Sequence, residues 1–197
     1  MRTIGILIIS ILASHETLSG AHAGELVKGD PAQFTTFKKC TMCHKKDSIG
    51  DQHAVWENGP HAKAYTMLAE PAAKEVAAKL GIADPQQSPK CLQCHSTAYY
   101  FSESIQTDLI EVELGVTCQS CHGPGDAYKS KEVHGKDRAT GIAAGMIFPS
   151  LEKSCTHCHN DRNPTWNPDR YTLKDGTKSG FDPEQAYEKI KHPMPAQ

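Results

Sequence analysis

The sequence predicts a mainly α-helical, loop-rich fold with little β-structure, and three observations support this prediction. The pattern Cys-x-x-Cys-His occurs four times and contains all eight cysteines. Its two cysteines and its histidine can face one side only if the segment forms about one helical turn. The chain also has 12 prolines and 15 glycines, and 38% of its residues are hydrophobic, against roughly 45–50% in typical globular chains. Short helices joined by many turns are therefore expected.

The repeated pattern is the attachment sequence of c-type haem. Its two thiols become thioethers to the porphyrin, and its histidine binds the iron as the proximal ligand. We therefore predict four covalently attached haems c. The predicted attachment residues are Cys40, Cys43, Cys91, Cys94, Cys118, Cys121, Cys155 and Cys158. The predicted proximal ligands, numbered with their haems from first to fourth, are His44, His95, His122 and His159.

Two other chemistries use paired cysteines at this spacing. Thiolate pairs hold tetrahedral zinc, and they also serve as redox dithiols or as parts of a disulfide framework. Neither use requires a histidine directly after the second cysteine, whereas all four copies have one. The repeated histidine therefore favours haem.

An N-terminal signal peptide is predicted for residues 1–23. Arg2 gives a positive start, residues 4–13 form an apolar run too short to span a bilayer, and residues 21–23 have the small-x-small form of a cleavage site. An uncleaved anchor is the alternative, and polar residues after the apolar run disfavour it. Because c-type haem is attached outside the bacterial cytoplasm, we predict a periplasmic protein, or one exported further.

Residues 24–197 are predicted to form a single tetrahaem domain, because the motifs follow one another without a linker-like gap. Four haems in so short a chain are expected to supply much of the apolar core. The formal net charge of −2 gives no basic footprint for nucleic acid. No later apolar run reaches transmembrane length.

Caps and helix breakers predict the remaining elements in order. A helix is expected over 60–69 with proline at its first position, and another over 71–80, closed by the following glycine. β-branched residues within 105–116 suggest a short hairpin arm. Asp182 is expected to cap a last helix that continues through Ile190.

Five histidines of the exported chain lie outside the proximal set: His53, His61, His134, His157 and His192. A second histidine would make a haem six-coordinate and suited to electron transfer, whereas an open position would admit a small molecule. Any one of these histidines could instead be an ordinary surface residue. His157 is the weakest candidate, because its position inside the fourth motif keeps it from the far face of that haem.

Two segments resemble the tetrahaem cytochromes c-554 of the nitrifier type. Residues 56–64, Trp-Glu-Asn-Gly-Pro-His-Ala-Lys-Ala, are similar to a Trp…His-Ala-Lys-Ala segment of that family. Residues 115–125, Gly-Val-Thr-Cys-Gln-Ser-Cys-His-Gly-Pro-Gly, resemble its Gly-Val-x-Cys-Glu-Ser-Cys-His-Gly-Pro-Gly block. The second block also occurs in larger multihaem enzymes, so the first segment and the order of the motifs narrow the resemblance.

This resemblance implies a ligand set. His134 would be the distal ligand of the first haem, His61 of the fourth and His192 of the third. The second haem, on His95, is five-coordinate in that family, and the corresponding stretch 170–172 contains no histidine. The resemblance also implies that the haems lie in closely stacked pairs.

Two features depart from the family. The nitrifier carrier is strongly basic, whereas this chain has a pI near 6.6, so its docking partner need not be the same. His53 has no counterpart. It is expected to be exposed, with two alternatives: it closes the second haem, or it reaches a haem of a neighbouring chain.

Three functions follow. The leading expectation is a soluble electron carrier, not an enzyme, that takes electrons from a periplasmic dehydrogenase or other oxidoreductase and passes them to another cytochrome. A monomer or weak oligomer is expected. The second is reduction of a small molecule such as nitric oxide at an open haem on His95. The third is a subunit of an extracellular haem filament.

Overall fold

The computed structural model describes residues 33–100 and 108–194. The signal peptide predicted for residues 1–23 lies outside the described residues, as do the first three residues of the predicted hairpin arm. Within the described ranges, no helix is both long enough and apolar enough to cross a membrane.

Short helices dominate the described residues. They are α1 (Phe37–His44), α2 (Gln52–Asn58), α3 (Ala64–Met67), α4 (Pro71–Lys79), α5 (Pro89–His95), α6 (Thr97–Tyr100), α7 (Cys118–His122), α8 (Arg138–Ala143), α9 (Leu151–Cys155) and α10 (Pro183–Tyr187). Two 3-10 helices span Asp47–Ile49 and Val112–Leu114. Turns and loops form most of the rest.

One small antiparallel sheet occurs in the described ranges. It pairs β1 (Tyr171–Thr172) with β2 (Lys178–Ser179), and Tyr171 lies opposite Ser179. The predicted fold class, mainly α and loop-rich with little β-structure, is therefore confirmed. The sequence analysis did not predict these two strands.

The predicted helices are confirmed to different extents. The helix expected over 71–80 is α4, with Gly81 in the left-handed region at φ 69°. The helix expected over 60–69 is wrong in extent, because only Ala64–Met67 is α-helical. The carbonyl of His61 accepts from the backbone N–H of Ala64 at 3.2 Å and of Val116 at 3.0 Å. This contact with a distant segment replaces the first turn of the expected helix.

The predicted C-terminal helix begins where expected and ends earlier than expected. Asp182 caps α10 as predicted, because its Oδ1 accepts from the backbone N–H of Glu184 at 3.0 Å and of Gln185 at 3.2 Å. The expected continuation of this helix through Ile190 is wrong. Beyond Tyr187 the chain forms tighter turns, including a bond from the N–H of Ile190 to the carbonyl of Tyr187 at 2.9 Å.

The described part of the predicted hairpin arm, residues 108–116, contains a 3-10 helix and no strand, so this prediction is wrong there. Gly115, at φ 70°, turns the chain, and its carbonyl accepts from the backbone N–H of Thr97 at 2.9 Å. The next residue, Val116, donates to His61. The backbone groups of this segment thus bond to loops between helices, which leaves no ladder for a second strand.

A buried polar cluster joins three of these segments. The Oγ1 of Thr97 accepts from the backbone N–H of Thr117 at 2.7 Å and lies 2.8 Å from the Oγ of Ser120. Gln119 binds the N-terminal segment, accepting from the N–H of Thr35 at 3.0 Å and donating to its carbonyl at 2.8 Å. The cluster therefore holds the second and third Cys-x-x-Cys-His motifs against each other and against the residues before α1.

The hydrophobic core of the described residues is small. One cluster contains Phe34, Ala98, Tyr100 and Ile110, and the exposed large hydrophobic side chains include Met42 and Met194. Polar contacts such as those of Thr97 and Gln119 therefore help to position the motifs.

Candidate haem-binding centre

Three of the four Cys-x-x-Cys-His motifs are helical, as the sequence predicts. The first lies in α1, the second ends α5 and the third is α7. The fourth is helical only up to Cys155, after which a turn is closed by a bond from the N–H of His159 to the carbonyl of Cys155 at 2.9 Å. All eight cysteines are free thiols, which does not support a disulfide framework. No group of three metal-binding side chains suited to zinc occurs in 33–100 or 108–194.

Three proximal histidines each lie opposite a second histidine. The ring centroids are 5.9 Å apart for His44 and His134, and their planes are inclined by 23°. The centroids of His122 and His192 are 6.0 Å apart. These are two of the three pairs that the family resemblance implies.

The third pair is His61 and His159, with ring centroids 6.3 Å apart. Two imidazoles on opposite sides of one metal ion, each bonded at about 2 Å, have their centroids about 6 Å apart. All three distances match this spacing. The side chains thus fit a six-coordinate haem iron at the first, third and fourth motifs.

Hydrogen bonds at Nδ1 orient several of these histidine rings so that Nε2 can bind a metal. Three of the predicted proximal histidines have an acceptor at Nδ1. Nδ1 of His44 lies 2.9 Å from the Oε1 of Gln52. Nδ1 of His95 lies 2.7 Å from the carbonyl of Ala64, and Nδ1 of His122 lies 3.0 Å from the carbonyl of Ile147. For the distal candidates, Nδ1 of His134 lies 2.6 Å from the carbonyl of Tyr128, and Nδ1 of His192 lies 3.3 Å from that of Pro193. An acceptor at Nδ1 places the proton there and leaves the lone pair of Nε2 for a metal.

Burial lowers the pKa of several of these rings, which favours the neutral form that ligation requires. Desolvation lowers the pKa of His61, and the nearby His159 lowers it further. Desolvation also lowers the pKa of His122, although its hydrogen bond to Ile147 acts in the opposite direction. The pKa of His159 is lowered by desolvation and then by Arg170.

The second motif differs from the other three. Its histidine, His95, is bonded through Nδ1 to Ala64, but no other histidine ring lies against it within the described ranges. The stretch 170–172, which the family resemblance places near this haem, forms the start of the small hairpin. The described residues thus supply one imidazole at this motif.

Thiols of different motifs lie close together in two places. The side-chain interaction between Cys40 and Cys118 lowers the pKa of Cys40 and raises that of Cys118. The side-chain interaction between Cys94 and Cys158 lowers the pKa of Cys94 to about 7 and raises that of Cys158. The first motif therefore lies beside the third, and the second beside the fourth.

His53 is buried, so the expectation that it is exposed is wrong. Its ring packs against Phe37 at 5.7 Å and Trp56 at 5.5 Å between centroids, and its Nδ1 lies 3.8 Å from an oxygen of Glu57. The structure does not place it opposite His95. His157 packs against the ring of Tyr100 at 4.4 Å, in agreement with its low rank as a ligand.

Sequence reasoning missed the residues that hold the motifs in place, above all Gln52, Thr97 and Gln119. Threonine and glutamine at these positions have no spacing that marks them. Gln119 lies inside the third motif, but the two central positions of such a motif admit many residue types. The longest-range side-chain contact of each spans 23 positions for Thr97, 84 for Gln119 and 141 for Gln52.

Comparisons with known proteins show which chains this sequence is similar to. The family model described as cytochrome c554 and c-prime matches residues 39–123, which include the first three motifs. Cytochrome c-554 of Nitrosomonas europaea is 31% identical over 157 residues, which make up 70% of this chain and 61% of that protein. The alignment thus spans less than two thirds of the relative's length. These matches confirm the resemblance that the two segments predict.

One solved structure also matches, that of cytochrome c554 from Nitrosomonas europaea in its reduced state. The match has 28% sequence identity and a TM-score of 0.46, and it covers 79% of this chain and 77% of that chain.

Proposed function

The chain is a relative of the cytochromes c-554, and on this premise we propose that it is an exported tetrahaem c-type cytochrome that transfers electrons between redox proteins. The observation that carries the proposal is the set of three histidine pairs, each with its ring centroids about 6 Å apart. Such pairing closes both axial positions of an iron, which favours electron transfer over substrate binding.

Each haem, when bound, supplies an iron that accepts and releases one electron, and the chain's residues hold and orient it. The eight cysteines would attach the four groups. His44, His122 and His159 would bind from the proximal side, opposite His134, His192 and His61 in that order. The acceptors at Nδ1 would fix the orientation of the rings and strengthen their donation to the metal.

The proximity of these thiols supports an arrangement of the haems in two pairs. Cys40 lies close to Cys118, and Cys94 lies close to Cys158. Groups attached at neighbouring residues would also lie close together, so the first haem would pair with the third and the second with the fourth. Cys121 also lies near Cys155, which raises the pKa of Cys121 after the larger effect of burial, to about 11. That proximity would join the two proposed pairs into one route.

An exposed basic surface, the lysine face, surrounds the first motif. It consists of Lys38, Lys39, Lys45 and Lys46, and Met42 lies between the two lysine pairs along α1. These lysines are exposed and form no ion pair within the described residues. Because complementary charge steers redox proteins together, we propose that a partner with an acidic surface docks at this face.

The experiment is expression in a host that attaches c-type haem, followed by mass spectrometry and electron paramagnetic resonance of the ferric protein. We expect the mass of residues 24–197 plus four haems, which also tests the signal peptide and the periplasmic location. Three low-spin signals and one high-spin signal are expected. A product without attached haem, or with four high-spin irons, contradicts the proposal.

A second candidate function is reduction or binding of a small molecule such as nitric oxide at the second haem. It is favoured by one observation: within the described ranges no histidine lies opposite His95. Titration of the reduced protein with carbon monoxide tests it, and we expect one molecule bound per four haems. Absence of any adduct shows that all four irons are closed and ends this candidate.

The filament alternative receives less support. His53 was the expected donor to a haem of a neighbouring chain, and its side chain is buried between Phe37 and Trp56. A histidine in that position cannot reach a second molecule without local unfolding. We expect a monodisperse monomer whose absorption spectrum is unchanged on dilution.

A further inference from the structure

Gln52, the first residue of α2, lies between two of the histidine pairs. It is 8% exposed, and its side-chain amide is fully engaged. Its Oε1 accepts from Nδ1 of His44 at 2.9 Å, whereas its Nε2 donates to the carbonyl of Ile49 and, at 2.9 Å, to that of Pro193. A buried amide that uses both its oxygen and its nitrogen is held in one orientation.

The carbonyl of Pro193 continues this chain of bonds. It also lies 3.3 Å from Nδ1 of His192, the histidine opposite His122. An unbroken hydrogen-bonded path therefore runs from His44 through the amide of Gln52 and the carbonyl of Pro193 to His192. Its ends are a ligand of the first haem and a ligand of the third.

The backbone is shaped to allow this contact. Gly50 has φ 100°, a value that favours glycine, and a Cβ at this position would lie 2.7 Å from the Cβ of Pro193. The absence of a side chain at residue 50 lets the C-terminal segment approach α2. The segment that contains His192 thus reaches the amide of Gln52 through a built contact.

Gln52 differs from the other Nδ1 partners. Nδ1 of His95, His122, His134 and His192 bonds to backbone carbonyls, whereas among these proposed haem ligands only His44 bonds to a side chain within the described ranges. A side chain can be exchanged without altering the backbone. Its acceptor strength also depends on what its amide nitrogen binds, since hydrogen bonds in a chain polarise one another.

We propose that Gln52 is a positioning residue that connects the proximal ligand of the first haem to the distal ligand of the third and sets the midpoint potential of the first. This inference rests on the proposed function. A stronger acceptor at Nδ1 makes the imidazole a stronger donor, which stabilises ferric iron and lowers the potential. A weaker acceptor has the opposite effect.

Two variants test the direction of the effect. In Gln52→Glu a carboxylate of almost equal size can accept from His44 and adds a negative charge, so the first-haem potential is expected to fall. The same variant loses the donor to the carbonyls of Ile49 and Pro193, as Gln52→Leu also does. In Gln52→Leu the acceptor is lost, so that potential is expected to rise. A residue with a purely structural role would not give shifts of opposite sign. Redox titration followed by electron paramagnetic resonance measures each haem separately.

The signals are assigned with ligand variants. The low-spin signal missing from His134→Ala belongs to the first haem, and the one missing from His192→Ala belongs to the third. In Gln52→Leu we also expect altered g-values of the third haem, because Pro193 loses a donor. The second haem should not change.

Gln93→Glu is the matched control. Gln93 lies inside the second motif, is exposed, and donates only to the carbonyl of Lys90 within its own helix at 2.9 Å. This variant adds the same charge near a different haem and should leave the first-haem potential unchanged.

Three outcomes overturn the inference: no shift in either Gln52 variant, shifts in the same direction, or an equal shift in Gln93→Glu. If both Gln52 variants fail to carry four haems, Gln52 serves haem attachment and the inference is also wrong. If the unaltered chain itself lacks four haems or three low-spin signals, the proposed function fails, which haem content and spectra show before any variant is made.

Discussion

The first and second haem motifs have the same local sequence pattern and almost the same helical form, yet their surroundings differ. His44 faces His134 and binds a buried side chain, Gln52, whereas His95 binds the backbone of Ala64 and faces no histidine within the described ranges. In the function that we propose, the motif provides attachment and one ligand. Segments far away in the sequence then decide whether a second histidine faces that ligand, and hence whether the haem is open to a small molecule.

The largest expected effect comes from making the first motif resemble the second. In His134→Ala the first iron loses its distal ligand and should become high-spin, so that the reduced protein binds two molecules of carbon monoxide where the unaltered protein binds one. Absorption and electron paramagnetic resonance spectra measure the change. His157→Ala is the control, because His157 lies beside Tyr100 and is not paired with a proximal ligand.

The comparison is contradicted if His134→Ala keeps its full set of low-spin signals. In that case another side chain closes the first haem, and the pairing at 5.9 Å is not the ligation.

The second prediction concerns how the second motif is held. Thr97 lies two residues after His95 and joins the second motif to the third through Thr117 and Ser120. Thr97→Val leaves buried polar partners unsatisfied and should lower the free energy of unfolding by about 1–3 kcal/mol. Urea unfolding followed by circular dichroism measures it. Thr66→Val is the matched control, since Thr66 is exposed and bonds only to Lys63.

An equal loss of stability in both threonine variants would show that the buried cluster has no special role. The second motif would then be held by its haem and not by the polar contacts with the third.

The third prediction concerns the lysine face beside the first motif. Reversing two of its charges, in Lys38→Glu and Lys45→Glu together, should slow association with an acidic redox protein by about tenfold at low ionic strength, with less effect at high salt. Stopped-flow electron transfer measures the rate. Lys74→Glu with Lys79→Glu on α4 changes the net charge equally and serves as control.

If both pairs of substitutions slow the reaction alike, net charge alone steers the encounter and docking is not specific to the first motif. If neither has an effect, the partner is not acidic.

The smallest effects are expected inside the motifs themselves. Thr41 and Gln93 are central motif residues whose side chains bond only to carbonyls of their own helices, at 3.2 Å and 2.9 Å. Thr41→Ala and Gln93→Ala should change stability by less than about 0.5 kcal/mol. Gln119→Ala in the third motif should cost more, because its amide holds both Thr35 and Gly125.

Thermal unfolding of the three variants ranks these effects. A large loss for Thr41→Ala would mean that the first two motifs are less alike internally than their hydrogen bonds indicate.

Much of the candidate centre could be predicted from the chain alone. Covalent attachment needs a fixed local spacing, so the eight cysteines and His44, His95, His122 and His159 are recognisable without any tertiary information. The distal set of His61, His134 and His192 required the family resemblance, because no local spacing relates a distal ligand to its iron. The shortened helix after Pro60 could not be predicted, since the contact between His61 and the distant Val116 determines it. The small sheet is a local hairpin whose Asp175-Gly176 turn is visible in the sequence and was missed.

The amino-acid sequence by itself therefore determined the local pattern: the four Cys-x-x-Cys-His motifs at which we propose that haem attaches, and a chain built from short helices. Only the tertiary structure decided which motifs are neighbours, that His53 is buried, and that Gln52 lies between His44 and Pro193. The physical reason is the separation along the sequence between the residues that interact. Helical turns and the Cys-x-x-Cys-His spacing depend on residues within five positions, whereas the histidine pairs and the bond from Gln52 to Pro193 join residues 70 to 141 positions apart.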